Sequence, residues 1–143
     1  MAYSISITDA PGPAIRTAIV DPLVAYNTNQ TGIADFKPLA VVLTGSSGDV
    51  IGGLWGRTAF GWLFVELIFV PESLRGHGVG RDLMHRAEAE AVARGCHAAW
   101  LDTFQFQARG FYERLGYTCF GELTDYPRGF SRYFMRKVLT PPV

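Results

Sequence analysis

The stretch Val65-Glu-Leu-Ile-Phe-Val-Pro-Glu-Ser-Leu-Arg-Gly-His-Gly-Val-Gly80 constrains this chain more than any other. An apolar run of strand character meets Pro71, three alternating glycines follow, and helical spacing begins behind them. Gly76, Gly78 and Gly80 carry no Cβ, so their backbone N–H groups can approach a ligand closely. The helix behind them directs the positive end of its dipole at the same point. Arg75 adds a fixed positive charge with two donors for one phosphate. Together these make an anion site, most naturally for a cofactor that carries a pyrophosphate.

The rest of the chain reads as alternating strands and helices. Tyr3–Thr8 alternates Tyr/Ile/Ile with Ser and Thr, a strand pattern, and Ala14–Tyr26 follows Pro11 and Pro13 with helical spacing. Asn27–Pro38 is polar and irregular. Leu39–Thr44, Val50–Ala59 and Trp62–Val70 form a meander, its first turn marked by Gly45-Ser-Ser-Gly-Asp49. After the glycine turn, Val79, Leu83, Ala87 and Ala91 share one helical face, and Arg94-Gly95 ends that helix. His97–Thr103 is the next strand. Ala108, Phe111, Tyr112 and Leu115 then recur at i, i+3, i+4 and i+7. Tyr117–Leu123 and Phe130–Val138 close the chain as strands. The order β-α-β-β-β-α-β-α-β-β predicts a mixed sheet with helices on its faces, an α/β fold.

Composition narrows the possible functions. A chain of 143 residues with 48% hydrophobic and 18% charged residues is expected to be one ordered domain over 1–143. Formal net charge is zero, which leaves no electrostatic footprint for nucleic acid or an anionic membrane. Trp62–Val70 is too short for a membrane span and carries Glu66 in its middle. Met-Ala-Tyr-Ser-Ile-Ser has no signal-peptide pattern. Cys96 and Cys119 share no metal-ligand spacing with the three histidines, so no metal is expected and both read as reduced thiols of a cytoplasmic protein.

The glycine spacing discriminates among pyrophosphate cofactors. A dinucleotide fingerprint requires Gly-x-Gly-x-x-Gly, and starting from Gly76 the third glycine position falls on Arg81. No Gly-x-x-x-x-Gly-Lys is present for a nucleoside triphosphate. The match is instead to Arg-x-x-Gly-x-Gly, here Arg75-Gly-His-Gly-Val-Gly80. A second signature, Ala-x-x-Phe-Tyr-x-x-x-Gly-Tyr, stands as Ala108-Arg-Gly-Phe-Tyr-Glu-Arg-Leu-Gly-Tyr117. In these two motifs the chain resembles the GCN5-related N-acetyltransferase (GNAT) family, most clearly over residues 50–138.

That resemblance implies a mixed, mostly antiparallel sheet flanked by helices and splayed at the fourth and fifth strands, Trp62–Val70 and His97–Thr103. It implies acetyl-CoA as cosubstrate and acetyl transfer to a primary amine of a small molecule by direct attack on the thioester. The pyrophosphate would lie on the N–H groups from Arg75 through Gly76, His77, Gly78, Val79 and Gly80. Ile68 and Val70 would offer main-chain groups to the acetyl and pantetheine part, with Ile68 N–H as oxyanion donor. Tyr112 would be the general acid for the leaving thiolate, since a phenol ionises near about 10; the plainer reading is a ring filling the helix's buried face. Many relatives place an Asn where Gln105 stands, so Gln105 is the cofactor-contact candidate there.

Glu66 is the candidate base, because an unpaired carboxylate within an apolar strand is expensive. Simple alternation puts it on the face of Phe64 and Ile68. It could instead attract a cationic substrate or pair with a structural Arg or Lys. Asp102 and Thr103 end a strand facing either the site or the sheet. The acceptor is expected to meet Tyr26, Asp125 and Tyr126, with aromatic walls drawn from Trp55, Phe60, Trp62 and Phe104. The alternatives are a protein or peptide N-acetyltransferase and a non-catalytic acetyl-CoA sensor. Exposed edge strands and the apolar C-terminal hairpin make a homodimer a reasonable expectation.

Overall fold

The computed structural model describes residues 2–140. These fall into two compact units that divide between Ala34 and Asp35. The first contains helix α1 (Gly12–Thr31), with Pro13 in its first turn, where a missing N–H costs nothing. The helix runs five residues beyond the apolar spacing that predicts it. In these last turns Thr28 and Thr31 donate their hydroxyls to the carbonyls of Val24 and Asn27, both at 2.8 Å. Gly32, at φ 71°, then stops it and returns its N–H to Thr28 O. Residues 2–8 form no strand, contrary to the alternation of Tyr3, Ile5 and Ile7. Alternation gives a segment two unlike faces, but a strand also needs a neighbour for its backbone groups.

The second unit is built on a six-stranded sheet in the order β1-β2-β3-β4-β6-β5. Its strands are β1 (Lys37–Thr44), β2 (Val50–Ala59), β3 (Trp62–Phe69), β4 (Ala98–Phe104), β5 (Thr118–Leu123) and β6 (Arg132–Val138). Helix α2 (Val79–Ala93) follows β3 through a single 3₁₀ turn at Glu72–Leu74, and α3 (Arg109–Arg114) follows β4. The meander β1-β2-β3 is antiparallel, β3 and β4 run parallel, and β6 lies between β4 and β5, antiparallel to both.

One face of this sheet carries the core. Leu39, Leu54, Leu63, Val65, Ala99, Leu101 and Met135 are buried with Leu83, Met84, Ala87 and Ala91 of α2 and with Tyr112 and Tyr117. The four α2 residues recur at helical spacing, which is why this stripe of the helix meets the sheet. On the opposite face Phe64 stacks on Trp100 at 4.1 Å between ring centres, with the Arg57 guanidinium over the Phe64 ring.

The sheet opens between its two parallel strands. β3 and β4 pair only over Trp62–Val65 and Ala98–Leu101, yet β3 continues to Phe69 and β4 to Phe104. Each keeps its outer neighbour, β3 staying with β2 to Phe69 and β4 with β6 to Phe104, so the two halves of the sheet part from one another. At the point of departure β3 carries a bulge: Gly56 faces Val65, Trp55 faces Leu67, and Glu66 is the extra residue. A bulge bends its strand and increases the local twist. Gly56 permits it, because a Cβ there would collide with the Phe64 carbonyl. The expected splay therefore lies at β3 and β4; these are the third and fourth strands, since residues 2–8 form none.

Candidate active site

The glycine turn takes the shape that an anion cradle needs. Gly76 and Gly78 adopt φ 80° and 79°, a left-handed backbone that L side chains rarely tolerate. Gly78 is the N-cap of α2 and supplies no side chain to it. The first amides of α2 thus have no partner within the helix, and they point out of its positive end. Gly80 sits against Phe111, where an added Cβ would lie 3.2 Å from the ring, so the turn is keyed to α3. Arg75 fixes the near side by donating Nε to Val70 O at 2.9 Å, leaving its terminal N–H groups outward. His77 is exposed, with Nδ1 3.4 Å from Leu74 O.

A cavity of about 1140 Å³ occupies the opening between β3 and β4. Glu66, Ile68, Val70 and Arg75 line it from one side, Asp102, Gln107 and Tyr112 from the other. Beyond Val65, the β3 backbone groups on the β4 side have no strand partner, so they are available to a ligand in the gap.

Tyr112 comes from α3 and is only 6% exposed. Among the described residues its hydroxyl has no hydrogen-bond partner, and it is not sealed off from solvent, so it opens into the cavity. Burial pushes its pKa up to about 12, and the nearby Asp102 charge adds to the shift. The phenol therefore stays protonated throughout the physiological range. Asp102 itself accepts Arg132 Nε at 2.8 Å, and that guanidinium lies over Phe104, Tyr126 and Phe134. Asp102 faces the cavity; its neighbour Thr103 is buried and donates to Gln107 Oε1 at 3.2 Å.

Glu66 is exposed and, among the described residues, makes no ion pair. Simple alternation does not place it. The bulge leaves Phe64 on the outer face while Ile68 packs against the core, so these two do not share the face expected of them.

Gln105, Asp125 and Tyr126 do not line this cavity. Gln105 is bound twice to the start of β6, its N–H to Ser131 O at 2.8 Å and its Oε1 from Ser131 N at 2.9 Å. Gln107 lines the cavity instead. Its Oε1 accepts Phe104 N at 2.8 Å, which turns its NH₂ away from that contact. No sequence signal separates the two glutamines, because the turn after β4 decides which faces inward. Asp125 accepts the Gly129 N–H at 3.2 Å and shapes the β5–β6 loop, while Tyr126 lies under Arg132. Tyr26 is exposed on α1. Among the described residues no group of three His, Cys, Asp or Glu is arranged to hold a metal ion, and no helix is long and apolar enough to cross a membrane.

Comparison with known proteins decides the family. The acetyltransferase (GNAT) family model matches residues 16–117. The chain belongs to the GNAT family. It is 41% identical over 131 residues to an acetyltransferase of Agrobacterium fabrum, covering 92% of this chain and 96% of that one. It is 35% identical over 138 residues to the blasticidin-S acetyltransferase of Streptomyces morookaense, covering 94% of each. A crystal structure from Agrobacterium tumefaciens, 40% identical, matches 96% of this chain and 99% of its own with a TM-score of 0.87. The GNAT chain is thus an acetyltransferase, of a family that uses acetyl-CoA.

Proposed function

We propose that this GNAT chain transfers the acetyl group of acetyl-CoA to a primary amine of a small molecule by direct attack on the thioester. One observation carries the reading. A protonated phenol and a carboxylate, both without a side-chain partner among the described residues, line one cavity with Arg75 and an unpaired strand edge.

The chemistry follows from those groups. The N–H groups of Gly76–Gly80 and the outer N–H groups of Arg75 receive the pyrophosphate. An unpaired N–H of β3, with Ile68 the candidate, receives the developing oxyanion. The amine nitrogen attacks the carbonyl carbon, the C–N bond forms and the C–S bond breaks. Glu66 takes the amine proton directly or through water, the sulfur departs as thiolate, and Tyr112 donates a hydrogen bond to it. A phenol held near 12 is a poor acid toward a thiol of about 8.5 to 9, so its contribution is a hydrogen bond that tightens as sulfur gains charge. Gln107, with its NH₂ free, is better oriented than Gln105 for the cofactor contact.

A small acceptor is favoured by the likeness to an enzyme named for an antibiotic substrate, blasticidin S, along nearly the whole length of both chains. Calorimetric titration with acetyl-CoA, with NAD as control, followed by free-thiol release with primary amines, tests the reading. Acetyl-CoA binding with amine-dependent thiol release supports it. No binding of acetyl-CoA overturns it.

A further inference from the structure

Between the two glutamines that close β4 stands Phe106, and the loop around it is fastened with unusual thoroughness. Gln105 is tied to Ser131 by both its main-chain N–H and its side-chain oxygen. Gln107 returns its main-chain N–H to Phe104 O at 2.9 Å and accepts Phe104 N with its side chain. Two side-chain amides are thus committed to holding three residues of backbone. The ring they hold is stacked on Phe104, 5.2 Å between centres and 14° from parallel, and meets Phe130 edge-on at 5.3 Å. Phe104 is itself braced by Tyr126 and by the Arg132 guanidinium.

Despite this support Phe106 is 58% exposed, and it lines the same cavity as Glu66 and Tyr112. A large apolar ring kept rigid and left uncovered contributes little to the core. It is, however, pre-organised for a ligand, because ordering it on binding costs almost no entropy.

We infer that Phe106 is a specificity-determining residue that stacks on a planar, π-bearing group of the acceptor, beside the carboxylate that receives its amine. The acceptor class is then a compact primary amine carrying an aromatic or conjugated ring. The chemistry is π-stacking rather than simple apolar contact, since the Phe104–Phe106–Phe130 array fixes the ring's orientation, which a merely greasy wall would not require. This assignment rests on the proposed transferase function.

Two amines of equal charge and similar shape test it: 2-phenylethylamine and 2-cyclohexylethylamine, each supplied with acetyl-CoA and followed by thiol release. The cyclohexyl compound is the more hydrophobic, so an unspecific apolar wall favours it. Stacking predicts the reverse, a kcat/KM ratio of about two to twelve in favour of the phenyl compound. Phe106→Leu is expected to bring that ratio to one or below, and Phe106→Trp to keep it. Binding of acetyl-CoA should be unchanged in both variants, while Phe106→Leu loses the aromatic contacts with Phe104 and Phe130 and should melt somewhat lower. A wild-type ratio of one or less, a preference that survives in Phe106→Leu, or acetyl-CoA binding with neither amine acetylated would each overturn the assignment. Wild-type protein that fails to bind acetyl-CoA is a different failure. It overturns the transferase reading, and Phe106 falls with it.

Discussion

The hydroxyl of Tyr117 donates a 2.7 Å hydrogen bond to Glu88, and both groups are buried. The other oxygen of Glu88 accepts Lys137 Nζ at 2.9 Å, so one carboxylate ties α2 to the start of β5 and to β6. Removing it leaves a buried phenol and a half-buried ammonium without their acceptor. Glu88→Ala is expected to cost about 2–4 kcal/mol of stability, because a broken buried pair strands the remaining charge. Tyr117→Phe leaves the ion pair intact and is expected to cost only about 1 kcal/mol. Urea unfolding of the two variants checks the order; equal losses would show that the ion pair contributes nothing beyond the phenol.

Tyr112 offers a separation of chemistry from folding. Its hydroxyl has no hydrogen-bond partner among the described residues, so Tyr112→Phe breaks no internal bond. Thermal unfolding is expected to be unchanged within about 0.5 kcal/mol. The turnover number is expected to fall by about 10² or more, the usual loss when a positioned hydrogen-bond donor to developing charge is removed. Calorimetric binding of acetyl-CoA should be unaffected. Undiminished turnover would favour the plainer role of a ring filling the core.

The same residue makes a prediction about alkaline stability. Burial raises the folded-state pKa of Tyr112 to about 12 from the ordinary 10.0, and Tyr117 is raised further by burial and by the Glu88 charge. A raised pKa means that the folded state retains a proton the unfolded chain releases. The associated stability is therefore complete below pH 10 and is lost as pH rises toward 12. Each tyrosine contributes a slope of about 1.4 kcal/mol per pH unit in that window. Denaturant midpoints measured at pH 8, 9.5 and 11 should fall most between the last two; the Cys96 thiol, also pushed up by burial from its ordinary 9.0, adds a smaller loss already between the first two. In Tyr112→Phe the drop should be shallower.

Much of this fold was legible because its signals are local. The spacing of Leu83, Ala87 and Ala91 carries α2, Gly45–Asp49 carries the first hairpin, and the two glycine motifs locate the turn and α3. What was not legible depends on partners distant in sequence. Tyr3–Thr8 has the alternation of a strand but no neighbour. Glu66 is displaced by a bulge that Gly56, ten residues earlier, makes sterically possible. Gln105 and Gln107 look interchangeable until Ser131 takes one of them. Phe106 reads as one aromatic residue among many until Phe104 and Phe130 are seen to hold it.

The turn itself yields a sharper test than a bulky substitution. A Cβ on Gly76 meets no protein atom within 4 Å, whereas one on Gly78 would lie 2.8 Å from the Arg81 guanidinium. Both residues share the left-handed backbone, so replacing either by Ala costs about 1–2 kcal/mol of local strain. In Gly76→Ala no neighbour has to move, and the methyl group changes only the backbone preference and the surface offered to a ligand. If the turn cradles the pyrophosphate, Gly76→Ala should weaken coenzyme A binding by roughly tenfold or more, because strain that shifts even one N–H spoils a convergent set. Dephosphorylated pantetheine, which lacks the pyrophosphate, should bind wild type and variant alike. Calorimetry with both ligands decides it. An equal loss for the two would place the pyrophosphate elsewhere, and an unchanged affinity for coenzyme A would remove the glycine turn from the site.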